Sequence, residues 1–376
     1  MIETITDLSH LENIAEEWND LARQFDSPLL QFEWFKASIV AFSSRQSPSV
    51  VVVKNDNRIE AIAPVTSVGS TGFRKMEILG ASELREPTGL LYRNEQALRE
   101  LLEGMLAAKE PLLLARMGSD SAETRLLGEL SRRWKALRLE QTSATPWIPL
   151  TGCWEEYERS ISPSRRSSLR RARRRAEALG TAVTEILSPQ IHQLDSWLED
   201  LFAVEAAGWK GREGTAMKAR ASLRKFFSLY TLSAARTGKA RLCFLRMNGK
   251  PIAALLGVIH AERFWVLKIG YDEQWAACSP GIILMHDVLR WSFDQNLKAF
   301  EFLGSNEAWL HIWTDHVHTY ATQWVYPVNP AGLFWLGMDL TQTLRSNLVS
   351  RKARLRKRWH GKLLPVLKNA LSDASH

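Results

Sequence analysis

Cysteine is scarce in this sequence: Cys153, Cys243 and Cys278 are the three in 376 residues. They stand too far apart for a chelating pair, and an odd number does not make a disulfide framework, so a secreted disulfide scaffold is excluded and a reducing compartment is expected. No segment approaches 18 uninterrupted apolar residues, so no spanning helix is expected. The opening Met-Ile-Glu-Thr-Ile-Thr-Asp has neither the basic nor the apolar block of a leader. The expectation is a cytoplasmic protein. His311, His316 and His318 cluster with Trp309, Trp313 and Asp315, but no Cys or further carboxylate joins them at ligand spacing, so no metal is expected.

What the chain does have is apolar and aromatic mass: 45% hydrophobic residues and 15 Trp, which exclude disorder. Its length exceeds what one core usually supports, so two domains are expected. The formal charge of +8 is concentrated at 165–175 and 351–358. Clusters of that kind call for an anionic partner more than solubility does.

Periodicity and turn residues predict, in the first half, helices 11–23 and 31–43, strands 49–54, 58–66 and 72–79, and an extended piece near 88–92. Helix 95–108, strand 111–116, helix 121–135 and strand 137–148 follow. The second half reads as helix 163–179, strand 181–187, helices 190–208 and 217–236, hairpin 240–247/251–260, strand 263–271, helix 281–296, strand 298–303, a helical turn at 306–312 and strand 317–326. The halves echo one another. Val50-Val-Val-Val-Lys54, Asn55-Asp56-Asn57 and Ile59-Glu-Ala-Ile-Ala63 parallel Leu242-Cys-Phe-Leu-Arg246, Asn248-Gly249-Lys250 and Ile252-Ala-Ala-Leu-Leu256. An apolar hairpin is a common object and coincidence is the alternative, but the flanking helices favour a divergent duplication, with domains at 1–150 and 151–330 and a basic helical tail at 331–376.

The copies differ after their third strand. The first continues Leu79-Gly-Ala-Ser-Glu-Leu-Arg-Glu-Pro87, whereas the second opens its helix with Ser279-Pro280-Gly281. Those residues offer a capping hydroxyl, a pre-set φ and a position without a side chain at a helix start, where free N–H groups and the dipole receive phosphate. An ordinary capped helix is the alternative.

The Arg-rich Ser164–Gly180 stretch, Glu205-Ala-Ala-Gly-Trp-Lys-Gly211, Gly249-Lys-Pro-Ile-Ala253, Lys268-Ile-Gly-Tyr-Asp272, Ser279-Pro-Gly281 and Phe300-Glu-Phe-Leu-Gly304 together resemble the acetyltransferase-like domain of the bacterial CelD/BioF2-type group. That group lies within the GNAT superfamily and is related to the FemABX peptidyltransferases. The resemblance covers about half the chain, from residue 150 on. It implies a mixed α/β sheet of tandem GNAT type, the first copy degenerate, and transfer of an acyl group from acyl-CoA to an amine or hydroxyl, in members tied to cell-surface polysaccharide or envelope chemistry. The family's pyrophosphate loop is Arg/Gln-x-x-Gly-x-Gly/Ala. Here Gln274-Trp-Ala-Ala-Cys-Ser-Pro-Gly281 has a single glycine, which leaves room for another donor such as an aminoacyl-tRNA.

Within that frame Ser279, Pro280, Gly281, Ile282 and Lys268 are the candidates for holding acetyl-CoA or another acyl-CoA. Glu301, which alternates with Phe300 and Phe302 and so faces away from both, is the first choice of base, and Glu205 the second. Tyr271 is placed to assist the leaving thiolate and Asp272 to accept an amine proton; packing and a turn start are their plain alternatives. Trp209, Lys210, Asn306 and Trp309 are candidates for the acceptor, with 208–214 a glycine-rich lid. Arg165, Arg166, Arg170, Arg173 and Arg174 belong to seven arginines in twelve residues, on a helix whose Leu169, Ala172, Ala176 and Leu179 form the apolar stripe. They suit the phosphates of CoA, of tRNA, of a lipid-linked sugar or of an anionic membrane surface, and no interleaved aromatic points to sequence-specific nucleic acid. Arg351–Trp359 with Leu363–Leu367 reads as a membrane-surface helix or as a docked C-terminal helix.

The expected function is acyl transfer, acetyl first, to a small-molecule or cell-envelope precursor. The alternatives are a FemABX-like aminoacyl-tRNA-dependent transferase and a non-catalytic membrane-surface adaptor of a polysaccharide machine.

Overall fold

The computed structural model describes residues 1–43, 47–70, 72–208 and 220–342. In the first half β1 (Ile2–Ile5) pairs with β2 (Ser47–Asn55), which turns into β3 (Arg58–Ser70) and β4 (Phe73–Ile78). Around them lie α1 (Leu8–Asn13), α2 (Ala15–Ala22), α3 (Phe32–Phe42), the single turn α4 (Ala81–Leu84), β5 (Leu91–Tyr92), α5 (Glu95–Ala107), β6 (Leu112–Gly118), α6 (Ala122–Arg133) and β7 (Leu137–Pro149). The second half adds α7 (Trp154–Ser160), α8 (Pro163–Leu179), β8 (Ala182–Leu187), α9 (Ile191–Ala206), α10 (Ala221–Arg236) and β9 (Ala240–Met247). After them come β10 (Lys250–His260), β11 (Arg263–Tyr271), α11 (Pro280–Asp294), β12 (Ala299–Glu301) and β13 (Val317–Tyr326). Residues 330–342 are helical.

The expected mixed α/β architecture is present, and the two hairpins share a construction. Asp56 and Asn57 in the first, Asn248 and Gly249 in the second, all sit at positive φ, the paired left-handed geometry of a two-residue turn whose twist matches the strands it joins. The predicted helix 11–23 breaks at Ile14 into α1 and α2. The short β1, α4 and α7 lie below the length at which a periodic pattern can be read.

Alternation along the second hairpin builds two cores. Leu242, Phe244, Leu256 and Trp265 face a layer that holds α9, α10 and the helices of the first half, while Cys243, Leu245, Leu255, Phe264 and Val266 face α7, α8 and α11. Trp34 of α3 meets Phe226 and Tyr230 of α10 edge-on at 4.8 and 4.9 Å, so α10 is packed between the halves. The sheet runs β1-β2-β3-β4-β6-β13-β7-β12-β11-β10-β9-β8. β13, from the second half, is inserted between β6 and β7 of the first, and the end of β7 pairs with β12.

Candidate active site

The parallel strands β11 and β12 pair only at Arg263↔Ala299, Phe264↔Phe300 and Trp265↔Glu301. β12 then stops, while β11 runs on to Tyr271. The strands therefore part into a wedge that opens toward the N-terminus of α11. Gly270 lets α9 close one side: a Cβ there would lie 3.0 Å from the Glu205 Cα, so even an alanine would require the helix backbone to give by a few tenths of an ångström. The resulting cleft, of about 460 Å³, is lined by Glu205, Gly208, Ile269, Gly270, Tyr271, Ala276, Ser279, Gly281, Ile282, Glu307 and Trp309.

Five of the predicted donor and catalytic residues thus meet in one place: Ser279, Gly281, Ile282, Glu205 and Tyr271. The predicted acceptor residue Trp309 joins them, its indole N–H donating to Glu307 at 2.8 Å. The helix start differs in detail from the expectation. Ser279 adopts the left-handed conformation (φ 51°) and its hydroxyl makes no capping bond. Instead its carbonyl receives the Ile282 and Ile283 N–H groups at 3.1 and 3.3 Å. Pro280, buried at the first helical position, has no N–H. The Gly281 N–H is left as the first-turn donor at the cleft, and the Tyr271 ring is 3.4 Å from where a Cβ on Gly281 would stand. A small anionic group fits there, at the positive end of a 15-residue helix.

Other candidates lie elsewhere. The buried Asp272 carboxylate accepts the Gln274 N–H at 3.0 Å and so starts the turn Glu273–Cys278, as its plain alternative reads. Lys268 points to the opposite face of β11 from Tyr271, as its spacing predicts, and there lies over Phe227 at 4.8 Å and 4.0 Å from Glu86, away from the helix start. Asn306 is exposed and its neighbour Glu307 lines the cleft instead. Trp209, Lys210 and the lid 208–214 beyond Gly208 fall outside the described residues, as does the basic segment 351–367.

The arginine helix α8 flanks the donor loop: Arg175 donates to the Ala277 carbonyl at 3.2 Å. Of the named arginines, Arg173 is engaged with Asp287 and His286, Arg165 reaches the Ile312 carbonyl at 3.5 Å, Arg166 is half-buried, and Arg170 and Arg174 are exposed. Leu169, Ala172 and Ala176 are buried, but Leu179 is exposed and drops out of the stripe.

Glu301 is the main correction. It is buried, 3% exposed, and faces away from both phenylalanines as expected, but it opens on a different cleft. That cleft, about 360 Å³, lies at the seam of the halves and is lined by Phe25, Asp26, Thr88, Arg263, Trp265, His318 and Tyr320 among others. Glu301 accepts from Arg263 Nη1 at 2.8 Å and lies 3.1 Å from His318 Nε2. Desolvation pushes the Tyr320 phenol up. Trp265 and Trp309 therefore line different clefts and do not meet. His311 pairs with Asp315 on the surface. Among the described residues no group of three or more His, Cys, Asp or Glu is placed to hold a metal, and no helix is long and apolar enough to cross a membrane.

Sequence reasoning gave no role to Ile269, Gly270 or Ala276, which also line the cleft. Gly270 carried a signal, an isolated glycine inside a strand pattern, which marks close approach of another backbone.

Residues 163–310 match the family model described as Acetyltransferase (GNAT) domain. Among solved structures the chain is similar to FemX, with a TM-score of 0.58 at 12% identity, covering 89% of this chain and 99% of that one. It is also similar to the C-terminal domain of a putative lysylphosphatidylglycerol synthetase from Agrobacterium fabrum, with a TM-score of 0.53 at 12% identity over 88% and 96% of the chains. A conserved protein of unknown function from Bacteroides thetaiotaomicron gives 0.52 at 10% identity over 86% and 99%. No curated protein matches. At these identities the structural likenesses establish the fold, a mixed α/β sheet of the GNAT type, within which residues 163–310 match the acetyltransferase model.

Proposed function

We propose that the protein transfers an acyl group, acetyl first, from acyl-CoA to an amine or hydroxyl. The observation that carries this is the parting of β11 from β12 directly beside the α11 N-terminus. A donor laid in that wedge sets a phosphate on the Gly281 N–H, with Tyr271 as the wall at that end. Glu205 faces the middle of the channel, where a carboxylate accepts the amide N–H groups of a pantetheine arm. The reactive end lies toward the apex, where the strands still pair. The GNAT family match of 163–310 supports acyl-CoA as co-substrate. We further propose the CelD-type group and a cell-envelope or polysaccharide precursor as acceptor, in the cytoplasm. Calorimetric titration with acetyl-CoA tests the reading: saturable binding that Gly281→Glu weakens is expected, and no binding to the wild type would sink it.

One observation favours a second donor. Exposed Arg170 and Arg174 sit on the helix beside the donor loop, in a chain whose fold is similar to that of FemX. A salt-sensitive thermal shift with charged tRNA, and none with acetyl-CoA, would reverse the order. Val328, Leu333, Phe334, Met338 and Leu340 are all exposed, and with the basic sequence beyond them they support a peripheral position on an anionic membrane. Co-sedimentation with phosphatidylglycerol vesicles tests that position.

A further inference from the structure

We propose that His318 is the proton acceptor of the transfer step, held in one tautomer by Glu301; this rests on the acyl-transfer reading above. The two residues come from neighbouring parts of one rigid sheet. Glu301 is on β12, Trp147 pairs with it from β7, and His318 follows on β13, which pairs with β7 in turn. Trp147 stacks on the His318 ring at 4.8 Å and 14°, fixing its plane. The Glu301 carboxylate, ion-paired with Arg263, only accepts hydrogen bonds, so the His318 nitrogen 3.1 Å from it, Nε2, carries the hydrogen. Nδ1 then keeps its lone pair, on a ring that is 35% exposed and lines the seam cleft.

Position joins this pair to the wedge. Trp265↔Glu301 is the last paired register before the strands part, so Glu301 sits at the apex and His318, across β7 from it, borders the apex from the seam cleft. From Trp265 to Tyr271 the strand advances six residues, roughly 20 Å at about 3.3 Å each. A donor anchored by phosphate at Gly281 and extended along β11 brings its thioester toward that apex. The seam cleft, walled by Phe25 and Trp265, gives the acceptor its own entrance. The acceptor nitrogen or oxygen forms a bond to the thioester carbonyl carbon and gives its proton to His318 Nδ1. Collapse breaks the C–S bond, and the imidazolium returns the proton to the departing sulfur, releasing the CoA thiol. Glu301 touches neither reactant and is a positioning residue.

Nitrogen-15 spectra of the histidine side chains, combined with thiol release from acetyl-CoA in the presence of glucosamine or ethanolamine, test the pair. One Nε2–H imidazole is expected whose signals vanish in His318→Gln. In Glu301→Gln, whose amide oxygen stays with Arg263 and turns N–H toward the ring, it moves to the Nδ1–H form. His318→Gln is expected to lower thiol release about 10²-fold or more with acetyl-CoA affinity unchanged. An Nδ1–H imidazole in the wild type, or undiminished release in His318→Gln with normal donor binding, would overturn the dyad alone. Absence of donor binding by the wild type would overturn the acyl-transfer reading with it. Where neither amine accelerates release, the tautomer decides.

Discussion

The molecule contains two wedges, one open and one filled. In the second half β11 and β12 part beside a 15-residue helix and leave about 460 Å³. In the first half β4 and β6 also run parallel and pair only at Met76↔Leu112 and Glu77↔Leu113. There, however, the chain after α4 returns into the gap. Thr88 N–H bonds to the Arg116 carbonyl at 3.1 Å, the Thr88 hydroxyl bonds to the Ala115 carbonyl, and Leu79, Leu84 and Pro87 close on Trp34 and Phe35 around a residual space of about 10 Å³. A space that size holds at most a water molecule. The difference is one of helix length: a four-residue helix has no developed dipole and no room for a ligand at its start, so the gap is better used as core. The same strand arrangement thus leaves an open cleft in the second half and a structural joint in the first.

The largest expected effect separates the two wedges by stability. Leu84→Ala, in the filled wedge, should lower the unfolding free energy by about 3 kcal/mol in urea titrations while acetyl-CoA affinity stays the same. A loss of affinity would show that the first wedge takes part in binding. Glu205→Ala, in the open wedge, should do the reverse, weakening acetyl-CoA by about tenfold to a hundredfold in calorimetry through loss of a charged hydrogen bond. An unchanged affinity would remove Glu205 from the arm channel. Gly281→Glu should cost about tenfold in the same titration by placing a carboxylate where phosphate is expected, whereas Gly281→Ala, whose Cβ meets only ordinary contact with Tyr271, should leave the fold intact. The smallest effect is on the turn itself. Ser279→Gly relieves a left-handed serine and should shift stability by no more than about 1 kcal/mol, upward if at all.

Much of this contrast is readable from residues. The Asn248-Gly249 turn, the strand Arg263–Tyr271 and the helix opening at Pro280 follow from local chemistry, and the lack of a Ser-Pro-Gly start after Leu79 points to the first copy as the silent one. The alternation that turns Glu301 away from Phe300 is equally local. Which cleft lies on that side is not local: it depends on His318 and Tyr320 arriving from a strand that the linear order assigns to the far end of the domain. Asp272 illustrates the converse. Its type and place suit a catalytic base, and only the geometry of the Gln274 N–H shows that the carboxylate caps a turn. Glu205 and Gly270 are far apart in sequence, and their contact is a packing fact that no spacing rule contains.

The exchanged strand has a consequence for the order in which the protein is made. Since β13 hydrogen-bonds on both sides within the sheet of the first half, a nascent chain that has emerged only as far as residue 150 still carries β6 and β7 with open edges and nothing between them. Completion waits until the ribosome has delivered residue 326, so the two copies mature together and the early edges need shielding in the interval. The two halves thereby become a single folding event, slowed by a closure that spans about 200 residues of chain.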